Sequence, residues 1–409
     1  MTPLCRHCAA PMPRLFLDLG HAPPSNAYLA PEALNAVEMS FPLRLRICDA
    51  CHLVQTEDFA KADQLFDHDY AYFSSTSKSW LDHAARYAKM AAERFGLGAD
   101  NHIIEVASND GYLLRNFMAA GIPCLGIEPT QSTAAAAATL GVPTLRAFFD
   151  AALGRSFARE GRQADLIVGN NVYAHVPDIN DFTVGLAAAL KPEGVVTLEF
   201  QHLMRLVEQC QFDTVYHEHF SYLSLLTVTR IFAQAGLRIF DVEELPTHGG
   251  SLRVYGCHKA ASHSIVTRAG DLLAEERARG METGAFYEGF QTRAEAVKNG
   301  LLRFLLDAKH DGRTVAGYGA AAKGNTLLNF AGVKPDLLPF ICDAAPSKQG
   351  KLTPGGHIPI LPPEALTARR PDYVLILPWN IASEVKDQLA HLNDLGVQFV
   401  TAVPEVREQ

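Results

Sequence analysis

The sequence predicts an α/β protein of three units, in which two parallel sheets follow a small cysteine-bearing unit. Three observations carry this. Two C-x-x-C pairs stand near the N-terminus, strand-length apolar runs alternate with helical segments from 102 to about 258, and a second such alternation begins at 313. The expected boundaries are residues 1–75, 76–262 and 263–409.

The first unit contains Cys5-x-x-Cys8 and Cys48-x-x-Cys51. Zinc favours four soft ligands in a tetrahedron, and each tight C-x-x-C turn can supply two thiolates. Cys5, Cys8, Cys48 and Cys51 are therefore the expected ligands of one structural zinc ion. Four protein thiolates leave no open position for catalysis. Buried free cysteines and a redox pair are the competing readings. The gap from Cys8 to Cys48 leaves room for a small β insertion, and 41-FPLRLRICDAC-51 alternates like short strands.

Residues 80–99 read as a helix leading into the second unit. Its strands are 102-HIIEVAS, 124-CLGIEP, 165-DLIVGNNV and 194-GVVTLEF. A late pair at 237-LRIFDVEEL and 251-SLRVYGCHK is expected to close the sheet as an antiparallel hairpin. In 103-IIEVASNDGYLL-114 a strand turns into a helix, as it does at a nucleotide-type cofactor loop. Ala107 and Asn109 stand where such loops often carry glycine, and only Gly111 remains. Glu128 ends the second strand, where a carboxylate can hold two ribose hydroxyls. A solvated loop carboxylate is its plain alternative. Glu105, Ala107, Asn109, Gly111, Glu128 and Asn170 are the expected cofactor contacts. NAD suits the same geometry, but the degraded glycine pattern argues against it.

The most reactive-looking stretch is 215-VYHEHFSYLSL-225, with Tyr216, His217, Glu218, His219 and Tyr222 packed into seven residues. Removing a proton next to a ketone needs a base and a group that holds the enolate charge; His and Tyr fit those roles. A helical turn would put Tyr216 and His219 on one face. A His217/His219 metal site and a satisfied aromatic cluster compete with this reading.

Residues 265–310 contain no proline and read as one or two helices joining the units. The third unit opens with 313-RTVAGYGAAAKG, where Gly317, Gly319 and Gly324 follow a strand and open a helix. Such a turn can hold phosphate on backbone N–H groups, or can be a purely structural turn. Lys323 adds a charge at this turn, and Lys348 and Lys351 in the polar loop 343–356 could meet a diphosphate; the plain reading makes these two ordinary exposed lysines.

Bulk properties narrow the function. With 48% hydrophobic and 20% charged residues the composition is that of a globular protein, and a net charge of −9 with no basic run disfavours nucleic acid as a partner. The start MTPLCRHCAAP has no apolar leader, and runs such as 372-DYVLILPW-379 have strand length rather than membrane-spanning length. A cytoplasmic protein with no membrane partner is expected. Nothing in the sequence sets the oligomeric state.

Taken together, the cysteine pairs, EVASNDGYLL, YHEHFSY, 247-THGGSLRVYG-256 and 317-GYGAAAKGNTLLN-329 resemble, in this order, the sugar-nucleotide C-methyltransferases of deoxysugar pathways. The likeness is greatest to those that methylate carbon 3 of dTDP-4-keto-deoxysugars. It covers essentially the whole chain. It implies a zinc-binding domain, a class I methyltransferase sheet that uses S-adenosylmethionine, and a C-terminal Rossmann-like domain that helps hold a dTDP-linked sugar. It also implies His219 as the base, assisted by Tyr216, Glu218, His175 and Tyr70. Tyr72, Tyr222, His248, Gly249, Lys323, Asn325 and Lys348 are the expected substrate contacts. An NAD-dependent oxidoreductase, an O- or N-methyltransferase and a non-catalytic nucleotide-sugar binder are the alternatives. The YHEH cluster favours carbon, because oxygen and nitrogen nucleophiles rarely need an α-proton base.

Overall fold

The computed structural model describes residues 2–58 and 73–408. In the first unit β1 (Arg14–Ala22), β2 (Phe41–Ile47) and β3 (Val54–Thr56) form an antiparallel meander. β2 is the alternation visible in 41–51. β1 escapes a sequence reading because register shifts between Leu15 and Leu17, and again between Asp18 and His21, break the period-two pattern. A fourth strand, β9 (Ser221–Tyr222), completes this sheet by pairing Tyr222 with Val54 and Ser221 with Gln55. The segment after YHEH is thus hydrogen-bonded into the cysteine-bearing unit.

The second sheet contains β4 (Ile103–Val106), β5 (Cys124–Ile127), β6 (Thr144–Leu145), β7 (Ala164–Asn170), β8 (Leu190–Gln201), β10 (Leu237–Leu245) and β11 (Ser251–His258). Its order is β6-β5-β4-β7-β8-β11-β10. The first five are parallel, and β11 runs antiparallel to both β8 and β10. The strand order reverses between β4 and β7, which opens a crevice at their carboxyl ends. Helix α1 (Lys78–Phe95) precedes the sheet. Ser77 caps its start by accepting from Trp80 N, and Gly96, at φ 62°, ends it. Its buried face, Trp80, Ala84, Tyr87, Ala88 and Ala91, has helical spacing.

Helix α2 (Leu225–Gln234) follows β9. Leu225 N and Leu226 N at its start donate to the two carboxylate oxygens of Glu276, at 2.8 and 2.7 Å. Glu276 lies on α3 (Thr267–Ala278) and is fully buried, paired with His202 at 2.6 Å. Placing a carboxylate on open N–H groups is how this charge is kept inside the protein. Residues 265–310 thus form two helices, α3 and α4 (Phe290–His310), with a short 3-10 turn at Ala285–Tyr287.

The third sheet contains β12 (Val315–Tyr318), β13 (Ile341–Cys342), β14 (Ile360–Leu361), β15 (Tyr373–Ile376), β16 (Gln398–Thr401) and β17 (Arg407–Glu408), in the order β14-β13-β12-β15-β16-β17. It is parallel except for β17. Helix α5 (Ala322–Ala331) follows β12. One buried apolar cluster runs from Cys5 and Leu17 through Val196 and Leu203 to Leu327 and Val403, so the three units share a core. Among the described residues no helix is long and apolar enough to cross a membrane.

Candidate active site

A cavity of about 1460 Å³ lies at the crevice of the second sheet, and all three units line it. Its floor is the turn after β4. Three residues there have left-handed backbone: Ala107 (φ 56°), Asn109 (φ 50°) and Gly111 (φ 79°). The first two are strained for side-chain-bearing residues, a pattern that concentrates at ligand sites. Gly111 is required for space as well, because a Cβ there would stand 2.9 Å from Val142 Cγ2. Glu128 fixes the turn from the end of β5. It accepts from Asn109 N at 2.9 Å, Thr130 N at 2.9 Å and Thr130 Oγ1 at 2.6 Å. A carboxylate has about four acceptor positions, so capacity remains for a ligand.

Ala107, Asn109, Glu128 and Asn170 line the cavity; Glu105 and Gly111 stand behind its wall. Both polar side-chain atoms of Asn170 are buried with no partner among the described residues, as is Glu105 Oε2. Burial first, then the Glu128 and Asp110 carboxylates, push the Glu105 carboxyl well above the usual range. Buried amide groups are rarely left unpaired without a reason, and at a crevice of this kind a ligand supplies one.

The YHEH segment forms the cavity's second wall. It is not a helix. Tyr216 and His219 meet through a single turn, closed by His219 N donating to Tyr216 O at 3.1 Å, because the chain must be extended again at Ser221 to pair with β3. Their ring centroids are 4.4 Å apart, and the His175 ring stands 4.5 Å from His219 on another side. His219 Nδ1 lies 3.1 Å from Thr214 O. A carbonyl only accepts, so Nδ1 carries the proton and Nε2 carries the lone pair. Burial, then the neighbouring His175, hold His219 well below the usual imidazole range. Burial also lowers His175 and His248, each to about 4. His217 points away: its Nε2 donates to Phe41 O of β2 at 3.3 Å, and it does not line the cavity. Glu218 and Tyr222 do line it. Glu218 is held by Asn26, and the Tyr222 hydroxyl accepts from Tyr216 N at 3.2 Å.

The third unit closes the site with Lys323 and Lys348. Lys323 Nζ donates to Asn380 Oδ1 at 2.5 Å and lies over the Trp379 ring; burial lowers it to about 8 against the pull of Asp213. Lys348 Nζ donates to Ala320 O at 2.9 Å. Lys351 is not part of the wall. Asn325 instead donates to Ser25 O at 2.7 Å, tying the third unit to the first. His248 lines the cavity and accepts from Asn171 Nδ2 at 3.1 Å. Gly249 does not; a Cβ there would strike the Trp379 ring at 2.4 Å. Tyr70 and Tyr72 lie outside the described residues.

The four N-terminal cysteines converge. Their sulfur atoms all lie within 4.8 Å of one another, with Cys5 and Cys51 at 3.4 Å and Cys8 and Cys48 at 3.5 Å. The two turns repeat one pattern. Cys5 N bonds Ala10 O and Ala9 N bonds Cys5 O; Cys48 N bonds Leu53 O and His52 N bonds Cys48 O, all at 2.9 Å. Ala9 and His52 both have left-handed backbone. Four soft donors aimed at one point fit zinc.

Comparison with known proteins agrees with this geometry. Family models match residues 5–66 (a zinc binding domain), 79–242 (a methyltransferase domain) and 246–404 (the C-methyltransferase C-terminal domain). The C-methyltransferase NovU of Streptomyces niveus is 35% identical over 403 residues, 98% of this chain and 96% of that one. The chain belongs to the C-methyltransferase family. Solved structures share less. The complex of the Haloferax volcanii Trm112 methyltransferase activator with a methyltransferase is 14% identical, over 45% of this chain and 94% of that one, at a TM-score of 0.37. An S-adenosylmethionine-dependent methyltransferase of Clostridium acetobutylicum is 11% identical, over 44% and 92%, at 0.35.

This C-methyltransferase uses S-adenosylmethionine, and its cysteine cluster is a zinc site. The crevice of the second sheet fits the cofactor: Glu128 has acceptor capacity for ribose hydroxyls, and Asn170 has an unpaired amide. Sequence reasoning missed several wall residues of the C-methyltransferase. Glu199 bonds His83 at 2.9 Å, Arg253 at 2.6 Å and Thr247 at 2.9 Å, and all three partners line the cavity. The signal was present as single charges inside apolar runs, Glu199 in GVVTLEF and Arg253 in SLRVYG. Asn26 gave no signal, because nothing in 23-PPSNAY-28 announces a contact across the chain.

Proposed function

We propose that the acceptor is a nucleotide-linked 4-keto-deoxysugar, dTDP-linked, and that the methyl group goes to carbon 3, next to the ketone. The observation that carries this is the tautomer of His219. Its Nδ1 is committed to Thr214 O, leaving Nε2 as the basic atom in a wall shared with Tyr216 and His175. A neutral imidazole so placed can take a proton, and membership of the C-methyltransferase family supports carbon as the atom that gives it up. Because burial keeps the ring neutral, the base is available throughout the neutral pH range.

In this reading Nε2 takes the carbon-3 proton, and the electron pair moves into the ketone as an enolate. The Tyr216 hydroxyl donates to the enolate oxygen. The nucleophile that results is carbon 3 itself. When bound, S-adenosylmethionine supplies a methyl group on a positively charged sulfur; the new C–C bond forms as the S–CH3 bond breaks. Glu128, Asn109 and Asn170 hold the cofactor, and His175 orients the base. Lys323 and Lys348 meet the diphosphate, with Tyr222 and His248 completing the sugar wall. The reaction is then a cytoplasmic one.

The test is to supply S-adenosylmethionine with a dTDP-4-keto-6-deoxyhexose and follow the product by mass spectrometry and proton NMR. The expected product gains one methyl group and loses the carbon-3 proton signal. A methyl group found on oxygen or nitrogen overturns the reading.

A further inference from the structure

We propose that Asn26, delivered by the zinc-binding unit, is a positioning residue that aims the Glu218 carboxylate at a hydroxyl of the acceptor sugar. The proposal rests on the nucleotide-sugar reading above. Asn26 Nδ2 lies 3.0 Å from Glu218 Oε1 and 3.2 Å from Oε2, and both residues line the cavity. The amide thus grips both oxygens from one side and fixes the plane of the carboxylate. Glu218 stands one residue from the base, and the direction of its carboxylate sets which ligand group it can meet in the cavity.

Asn26 is itself rigidly held. Ala27 N donates to Pro24 O at 3.0 Å and Tyr28 N to Asn26 O at 2.9 Å, so it sits in a tight turn. On either side the turn is tied to the third unit. Ser25 O accepts from Asn325 Nδ2 at 2.7 Å, and the Tyr28 hydroxyl donates to Ala320 O at 2.5 Å. Thr326, hydrogen-bonded to Ser25 at 3.2 Å, donates to Val215 O at 3.0 Å, just before the YHEH segment. These bonds place Asn26, Glu218 and the cavity-lining start of α5 in one frame. Both Glu218 oxygens act as acceptors toward Asn26, and a carboxyl oxygen can accept more than one hydrogen bond. The ligand group it suits is a sugar hydroxyl.

The experiment compares wild type, Asn26→Ala, Asn26→Asp and Asn26→Gln. Steady-state kinetics with the keto-sugar are read beside S-adenosylmethionine affinity and melting temperature. Asn26→Ala is expected to raise KM for the sugar about tenfold, the size of one charge-assisted hydrogen bond, while kcat changes less than threefold and cofactor affinity stays put. Asn26→Asp sets a second carboxylate against Glu218 and raises KM further as pH increases; Asn26→Gln, which keeps the amide, recovers part of the loss. Wild-type KM in both the Ala and Asp variants overturns the proposal, as does a loss confined to melting temperature. If the wild type methylates no keto-sugar, the methylation reading fails. The Asn26 proposal is then judged by calorimetry with dTDP-glucose, where weaker binding by Asn26→Ala supports it. Equal binding by both proteins, or none by either, overturns it.

Discussion

The two parallel sheets of this chain are built on one plan and used in different ways. In each, the first strand turns tightly into a helix and the second strand ends on a carboxylate, Glu128 after β5 and Asp343 after β13. In the second sheet the turn is open. Ala107 and Asn109 hold strained backbone at the cavity, Glu128 lines it, and Asn170 keeps an unpaired buried amide. In the third sheet the turn is shut. A Cβ on Gly319 would stand 2.5 Å from Pro378 Cδ, and one on Gly324 2.9 Å from Leu377 Cβ. Asp343 spends one oxygen on Ala345 N and the other on Lys348. Gly111, like Gly319 and Gly324, serves close packing, and it is Ala107 and Asn109 that bring the second sheet's turn to the cavity. From the third unit the start of α5, Lys348 and the segment after β15 that begins at Pro378 reach the cavity.

Acid should separate the two regions most. His175 and His248 line the cavity on the second sheet's side, and burial lowers both to about 4. A depressed folded-state pKa means that the unfolded chain takes up protons first as pH falls. Stability is therefore complete above about pH 6.5 and is lost toward pH 4. At about 1.4 kcal/mol per pH unit, and with cavity water screening part of the effect, each histidine accounts for about 2 kcal/mol. Denaturant titrations from pH 8 to 4 check this. A His175→Gln, His248→Gln double variant should flatten the profile.

Next in size is Gly319→Ala. With φ at 84° and Pro378 in the way, it should cost about 1–3 kcal/mol of stability, read as a lower melting temperature. Cofactor affinity should be unchanged. Smaller still is the carboxylate pair. Glu128→Ala should weaken S-adenosylmethionine binding about tenfold, or about 1.4 kcal/mol, and Asp343→Ala should leave it alone. Calorimetry on the two variants decides, and equal losses would erase the distinction between the sheets.

Much of this was legible in the sequence, for physical reasons that can be named. Period-two and helical patterns located both parallel sheets, because buried strands must be apolar. The cysteine spacing located the metal site, because tetrahedral thiolate chemistry permits few spacings. The choice between His217 and His219 was not legible from spacing alone. It depends on which ring meets Phe41 O and which meets Thr214 O, a consequence of β9 crossing into the first sheet. Asn26 was hidden for the same reason, since its partner Glu218 is far along the chain, whereas the Glu199–Arg253 pair showed only as single charges inside apolar runs. Gly249 and Asn325 sit in conspicuous motifs but hold units together instead of lining the cavity.

The central claim is that His219 Nε2 removes a proton from carbon before the methyl group moves. The direct measurement is solvent deuterium entering carbon 3 of the dTDP-4-keto-sugar, in heavy water, with a non-reactive cofactor analogue bound. Wild type should exchange that proton, and His219→Ala should lose both exchange and methylation while binding the cofactor normally. Exchange and methylation at near wild-type rates in His219→Ala would contradict the account.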